Sequence, residues 1–244
     1  KSQLSQDDEY ELYNEKDNFS IDNLSKLKII NIPTIMNVLC QRYDKDDIYT
    51  YNGKVLVSIN PFKMINQLYD NIDNIDIDIP HIYSVAESAY RNLYRKNQAI
   101  LVSGESGSGK TENTKFILKY LSRNYGSDDT ISNGIIRCNH LIECFGNAKT
   151  IKNNNSSRFG KWIEIHFNNE GRTICGAKID NYLLEKSRLA YQQKDERNYH
   201  IFYQLCFGAS VSQRDRLSIG SVNDFQLLRR SCCFLPGIKD EAEH

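Results

Sequence analysis

The eight residues from Gly104 to Thr111, GESGSGKT, have types and spacing that name a chemistry. The pattern is G-x-x-x-x-G-K-[ST], the phosphate-binding P-loop. Gly104, Gly107 and Gly109 let the backbone turn tightly, so that successive amide N–H groups face phosphate oxygens. Lys110 reaches the β- and γ-phosphates of a nucleoside triphosphate, and the Thr111 hydroxyl is suited to ligate Mg²⁺. A helix behind the loop adds the positive end of its dipole. A second polar run, Asn153-Asn-Asn-Ser-Ser-Arg-Phe-Gly-Lys161, packs Asn, two Ser and Arg into one loop. Hydroxyls that ligate Mg²⁺ or orient a water, beside a cation, are the inventory of a loop that senses a γ-phosphate. Taken alone, the same residues also suit a polar surface loop.

The elements that must position these residues are legible around them. Ala99-Ile-Leu-Val102 is a short apolar run suited to a buried strand before the P-loop. Glu112 to Arg123 is rich in helix formers, with Phe116, Leu118, Tyr120 and Leu121 for a packed face and Gly126 as a stop. Upstream, the apolar-periodic stretch Ile21 to Tyr43, broken by Pro33, predicts two short helices. Ile48 to Ile59 predicts a hairpin with a type I′ turn at Asn52-Gly53. Residues 66–80 form an acidic segment read as a solvated loop. The spacing of Ile82, Ala86, Ala89 and Leu93 predicts a core-packed helix over His81 to Lys96. Ile135 to Phe145 predicts a helix ended by Gly146. Trp162 to Phe167 alternates strictly and pairs across the turn NNEG with Arg172 to Ile179. Glu196 to Phe207 predicts a helix stopped by Gly208. Strands and helices interleave, which makes the class α/β.

Composition bounds the alternatives. The 244 residues are 40% hydrophobic and 25% charged, with 31 basic and 31 acidic side chains, which is ordinary globular chemistry. The balanced charge gives no support for a nucleic-acid partner. No apolar run approaches the roughly 18 residues of a membrane span, and the acidic start is unlike a signal peptide. The 7 cysteines form no CxxC pair and read as free buried thiols of a reducing cytosol. The sequons at Asn18 and Asn155 would then go unused. His81, His140, His166 and His200 lack ligand spacing and read as packing or hydrogen-bonding residues.

Longer motifs carry a resemblance. Asn60-Pro-Phe-Lys63, Pro80-His-Ile-Tyr83, GESGSGKTENTK from Gly104 to Lys115, and FGNAKT from Phe145 to Thr150 occur in that order. NNNSSRFGK, Tyr182-Leu-Leu-Glu-Lys-Ser-Arg188 and Glu196-Arg-Asn-Tyr-His-Ile-Phe-Tyr203 follow. In this order they strongly resemble the myosin motor head over roughly residues 20–240. The resemblance implies a P-loop NTPase core of the myosin motor type, with a mixed central sheet flanked by helices and incomplete at the C-terminus. Residues 1–20 would be a polar N-terminal arm. Residues 21–244 would be a partial motor domain holding the adenine loop, the P-loop, switch I and the start of the upper actin-side subdomain.

Site roles follow from the same resemblance. Asn60, Pro61, Phe62 and Lys63 would lie at the adenine of ATP. Gly104, Glu105, Ser106, Gly107, Ser108 and Gly109 would cradle its phosphates, with Lys110 on the β- and γ-oxygens and Glu112 following in the site. Thr111 and Ser157 would hold Mg²⁺. Asn153 would contact phosphate, Ser156 would help place the attacking water, and Arg158 would pair with a glutamate of switch II. The reaction implied is in-line attack of water on the γ-phosphate, driven by positioning and electrostatics. Partners implied are an actin filament, met through parts of the head mostly outside this sequence, and light chains on a lever arm. The setting implied is cytoplasmic and cytoskeletal.

Three departures stand against the pattern. Tyr69 sits one place late for the family's adenine-loop tyrosine, and Leu68 occupies its position. His140 replaces a usual proline. The D-x-x-G of switch II does not occur, so the chain alone is expected to hydrolyse ATP slowly and to expose apolar sheet edges. A kinesin-like motor is disfavoured because Ser157-Arg158 is followed by Phe159-Gly160, and a GTPase because N-K-x-D is missing. A non-catalytic nucleotide-binding module remains the alternative of a different class.

Overall fold

The structure is a computed structural model that describes residues 21–70, 75–126, 129–168 and 172–229, with residues 235 and 240. The first 20 residues, part of the acidic segment, the NNEG turn beyond Asn168 and Cys232-Cys233 lie outside the described residues. The chain divides into two units. One comprises the chain to Ser103 together with Ser108–Leu121, and the other Gly104–Gly107 together with Ser122 onward.

In the first unit, asparagines start the early elements. Asn23 Oδ1 accepts from the Ser25 amide at 3.1 Å and opens a 3-10 turn over Leu24–Lys26. Asn31 Oδ1 accepts from the Thr34 amide at 2.8 Å and caps α1, Ile32–Tyr43. Pro33 therefore opens this helix and does not interrupt it, because the first helical turn needs no amide donor there. Leu24, Leu27 and Val38 are buried together, with Ile21, Ile35 and Val57 against them. Strands β1 (Tyr49–Asn52) and β2 (Val55–Ser58) pair antiparallel, Tyr49 opposite Ser58. Asn52 pairs with Val55, which makes Gly53-Lys54 the turn, and only Gly53 has a positive φ, 61°. That pattern is II′ and not the expected I′, which needs positive φ at both central residues.

Helices α2 (Ile82–Asn92) and α3 (Lys110–Tyr125) follow. An aromatic group ties them to the hairpin. Tyr69 stacks on Phe116 with centroids 3.8 Å apart, Tyr83 on Tyr120 at 5.0 Å, and His81 meets Tyr49 and Tyr83 edge-on. The Tyr120 hydroxyl donates to buried Glu87 at 2.9 Å. Tyr69, the displaced adenine-loop tyrosine, is thus engaged in packing, and its hydroxyl lies 3.0 Å from that of Tyr49. The run Ala99–Val102 does not form the expected strand. No neighbouring strand bonds it among the described residues, and Leu101 is 91% exposed. An apolar run becomes a strand only where a second edge meets it.

The second unit is built on α4, Asp129–Gly146, which begins six residues before the apolar periodicity does because its first turn, DTISN, is mostly polar. Two short strands, β3 (Asn147–Ala148) and β4 (Ser156–Ser157), pair antiparallel. The longer hairpin joins β5 (Gly160–Phe167) to β6 (Ile174–Tyr182), with Gly160 opposite Tyr182 and a register shift at His166/Phe167. Trp162 and His166 point to solvent and Ile163, Ile165 and Phe167 are half-buried, as the alternation predicts, but Glu164, expected on the face of Trp162 and His166, is half-buried as well. Helix α5 runs His200–Gly208 and α6 runs Val211–Leu217. The expected helix start at Glu196 fails for a clear reason. Arg197 donates its amide to the Lys149 carbonyl and Tyr199 bridges Ala148, so residues 197–199 run extended beside that segment. Tyr203, Cys206, Val222 and Leu228 form this unit's buried cluster.

The described residues hold three separate two-stranded antiparallel ladders, and the mixed central sheet is not among them. No helix of the described residues is long and apolar enough to cross a membrane. The cysteines depart from expectation. Cys40, Cys138 and Cys175 are exposed, and only Cys206 is buried among the five described. Cys40 and Cys138 stand on outer helix faces and Cys175 on the open face of the β5–β6 hairpin, positions that sequence spacing did not separate from core.

His81 caps α2, its Nδ1 accepting from the Tyr83 amide at 3.0 Å. Burial pushes its pKa down to about 4, against a smaller opposing pull from the Leu68 backbone. Burial and the nearby Arg197 cation do the same to His200, also to about 4. The folded chain thus keeps both rings neutral where the unfolded chain takes up protons. Stability falls as pH drops from about 6.5 towards 4. Each ring contributes a slope of up to about 1.4 kcal/mol per pH unit. His81→Asn keeps a capping acceptor and removes one proton. Urea unfolding at pH 6 and pH 4.5 should show a shallower loss for the variant, and equal losses would show that His81 does not titrate on unfolding.

Candidate nucleotide site

Within the first unit, Lys110 is the first residue of α3, so the helix's exposed amides and dipole begin where the P-loop ends. Gly109 has φ +91°, and a Cβ there would lie 3.7 Å from Asn60 Cβ. The adenine-loop candidate therefore abuts the last P-loop glycine. Asn60 Oδ1 accepts from the Phe62 amide at 2.9 Å, and Phe62 holds a φ of 52° with its ring 83% exposed. Pro61 is half-buried, and Lys63 pairs at 2.6 Å with Asp46 in solvent. Asn113, on the first turns of α3, donates to Ser58 Oγ at 3.0 Å and accepts from the Tyr49 hydroxyl at 3.1 Å. This pair of bonds fixes the helix start against the β1–β2 hairpin. Glu112 is exposed and pairs with Lys115 at 2.9 Å. Ser108, Lys110 and Thr111 are partly exposed.

Within the second unit, Gly104–Gly107 meets the polar loop of residues 151–158. Gly107 has φ +84°, and a Cβ there would lie 3.8 Å from Asn153 Nδ2. The hydroxyls of Ser106 and Ser156 are 3.1 Å apart, and Ser156 is 3% exposed. Glu105 is exposed. The loop is self-braced. Asn153 Oδ1 accepts from the Asn155 amide at 3.0 Å, its Nδ2 donates to the Asn155 carbonyl at 3.2 Å, and Asn147 Nδ2 donates to Asn155 Oδ1 at 3.0 Å. Ser157 sits half-buried on β4, one residue beyond Ser156.

Arg158 has a carboxylate partner that sequence reasoning missed. Its Nε donates to Glu185 Oε2 at 2.5 Å, and its Nη1 to Ser156 Oγ at 3.2 Å. The backbones join as well, the Glu185 amide donating to the Arg158 carbonyl at 2.9 Å. Arg188 Nε shares Glu185 Oε2 at 2.8 Å, while its Nη1 lies 3.0 Å from Glu196 Oε2. Glu196 Oε1 in turn accepts from the Ile151 amide at 3.4 Å, at the other end of the loop. Burial pushes the Glu185 carboxyl up, but the bonds from Arg158 and Arg188 outweigh it and hold the pKa below the usual carboxylate range. The signal available in sequence was a pair of charged residues inside YLLEKSR and ERNYH. The 27-residue separation of Glu185 from Arg158 left the pairing invisible.

Residues 21–244 match the family described as myosin head (motor domain). This chain belongs to the myosin head family. It is 48% identical over 220 residues to unconventional myosin-VI of Bos taurus, covering 86% of this chain and 17% of that protein. It is 44% identical over 221 residues to myosin-I heavy chain of Dictyostelium discoideum, covering 87% of this chain and 9% of that one. To myosin-1 of Arabidopsis thaliana it is 44% identical over 229 residues, covering 91% and 20%. The chain thus spans about a fifth or less of the length of these curated relatives. Membership carries the P-loop NTPase fold with it and sets the kinesin-like and GTPase alternatives aside.

The charge chain of this myosin head has a rigid and a soft half. Arg188 and Glu196 are 4% and 12% exposed, whereas Arg158 and Glu185 are 28% and 31% exposed. Removing one partner of a buried pair strands the other charge and costs about 3–5 kcal/mol, whereas a solvent-accessible pair is worth about 0–1 kcal/mol. Arg188→Ala should therefore lower unfolding free energy by about 3–5 kcal/mol in urea, and Arg158→Ala by about 1 kcal/mol or less. Comparable losses would mean that burial does not set the strength of these contacts.

Proposed function

We propose that this chain is the nucleotide-binding portion of an actin-based myosin motor, which couples Mg-ATP binding and hydrolysis to movement on actin filaments. Family membership supports the class of protein. The observation that carries the site is the Ser106–Ser156 hydroxyl contact at 3.1 Å, which sets a P-loop side chain against the loop expected to act as switch I. The residues fit the ligand: Gly107 and Gly109, with φ of +84° and +91°, bring no side chain of their own into the loop, and α3 starts at the next residue, Lys110.

In this reading the backbone from Gly104 to Gly109 holds the phosphates, and Lys110 neutralises the β- and γ-oxygens. Asn60, Pro61, Phe62 and Lys63 flank the adenine. The hydroxyls of Thr111 and Ser157 would hold Mg²⁺, which would supply charge neutralisation to the phosphates. Asn153 contacts phosphate, Ser156 orients the attacking water and Arg158 stabilises the charge that develops as the γ-phosphoryl transfers. Glu105, Ser106, Ser108 and Glu112 complete the set as flanking residues of the loop and helix start. Residues 21–244 form part of a motor domain, preceded by a polar arm over residues 1–20. A mixed central sheet flanked by helices is part of this reading. Actin binding, light chains on a lever arm and a cytoplasmic, cytoskeletal setting are properties proposed for the whole motor.

Titration of the chain with an ATP analogue bearing a fluorescent mant group, in the presence of Mg²⁺, tests the reading. Saturable binding is expected. Lys110→Ala should weaken it by about 10- to 100-fold, the worth of a charge-assisted contact to phosphate. Chelating Mg²⁺ should weaken it as well. Binding that ignores both changes, or no binding by well-folded chain, would overturn the proposal.

A further inference from the structure

The Arg158–Glu185 contact has a feature that a static brace would not need. Glu185 carries a second guanidinium, Arg188, on the same oxygen that Arg158 uses. Arg188 is buried and anchored elsewhere, to Glu196 at 3.0 Å and to the Arg197 carbonyl at 3.2 Å. If Arg158 leaves, Glu185 stays neutralised and no buried charge is stranded. The exposed half of the chain is thus the half that can open without disturbing the rest. Arg158 itself stands beside Ser156, which already meets the P-loop hydroxyl of Ser106. Ser156 is thus the shared contact of the Arg158 guanidinium and the Ser106 hydroxyl.

We propose that Glu185 is the resting partner of Arg158. It is a positioning residue that holds the arginine in a contact which a nucleotide phosphate must displace, with Arg188 keeping the vacated carboxylate paired. This rests on the nucleotide reading above. The consequence runs against the usual effect of removing an ion pair: weakening Glu185 should free Arg158 and tighten nucleotide binding.

The test compares the wild-type chain with Glu185→Gln by two readouts. Trypsin needs a free arginine side chain to cut after Arg158, whereas Lys152, exposed in the same loop, reports general loosening. Cleavage after Arg158 should rise about 5-fold with cleavage after Lys152 unchanged. With the mant-labelled ATP analogue and Mg²⁺, the variant should bind about 3- to 10-fold more tightly. Equal acceleration at both trypsin sites, unchanged cleavage at Arg158, or weaker binding by the variant would each overturn the proposal. If the wild-type chain binds no nucleotide, the reading of the site falls, and the cleavage ratio alone decides whether Glu185 holds Arg158. Should Glu185→Gln fail to fold, Glu185→Asp keeps the charge, shortens its reach and must move the same ratios in the same direction.

Discussion

A loop that grips phosphate cannot spend its own amides on holding itself together. Its N–H groups must stay available for the ligand, so its shape has to be imposed by neighbours. In this chain, side chains from other segments lie against the proposed phosphate loop. In one unit Asn60 lies against Gly109, and Asn113 anchors the start of α3 to Ser58 and Tyr49. In the other, Asn153 lies against Gly107 and Ser156 meets Ser106. Each restraint is a side-chain amide or hydroxyl, short enough to approach a bare glycine backbone and polar enough to leave the loop's environment wet.

Asparagine is frequent in the sequence, and these contacts give that frequency a physical meaning. Asn23, Asn31, Asn60 and Asn153 each accept from an amide two or three residues ahead, opening a turn or helix where the chain must change direction. Asn139 and Asn198 instead sit buried, joining Lys161 to Glu143 in one place and supporting the Tyr199 amide in the other. Base composition can supply asparagine in excess. The backbone's unmet donors decide where it is useful.

The motifs were readable because their chemistry is local. The P-loop, the helix behind it, the two hairpins and the polar switch loop depend on neighbours in sequence, and glycine or alternation announces them. What failed was non-local. Ala99–Val102 has the composition of a strand, but a strand exists only through a partner edge. Residues 197–199 have helical composition, but the Arg197 amide goes to the Lys149 carbonyl and Tyr199 bridges Ala148. Arg158 pairs with Glu185, 27 residues on, a contact that no motif announced. Periodicity cannot reveal such a pairing, since both residues are charged and neither lies on a repeating face.

Burial separates what must stay fixed from what must move. A charge withdrawn from water is held by the cost of stranding its partner, and that cost falls steeply as solvent reaches the pair. Arg188 and Glu196 lie on the costly side, and they tie the Ile151 end of the loop over residues 151–158 to the body of the unit. Arg158 lies on the cheap side, at the loop's other end. The same string of alternating charges therefore holds the Ile151 end through buried side chains and the Arg158 side chain through partly exposed ones. The proposed sensing of a phosphate would draw on that asymmetry. With both ends fixed it could not respond to a phosphate, and with both free it would have to be ordered at each binding event, at a cost taken directly from affinity.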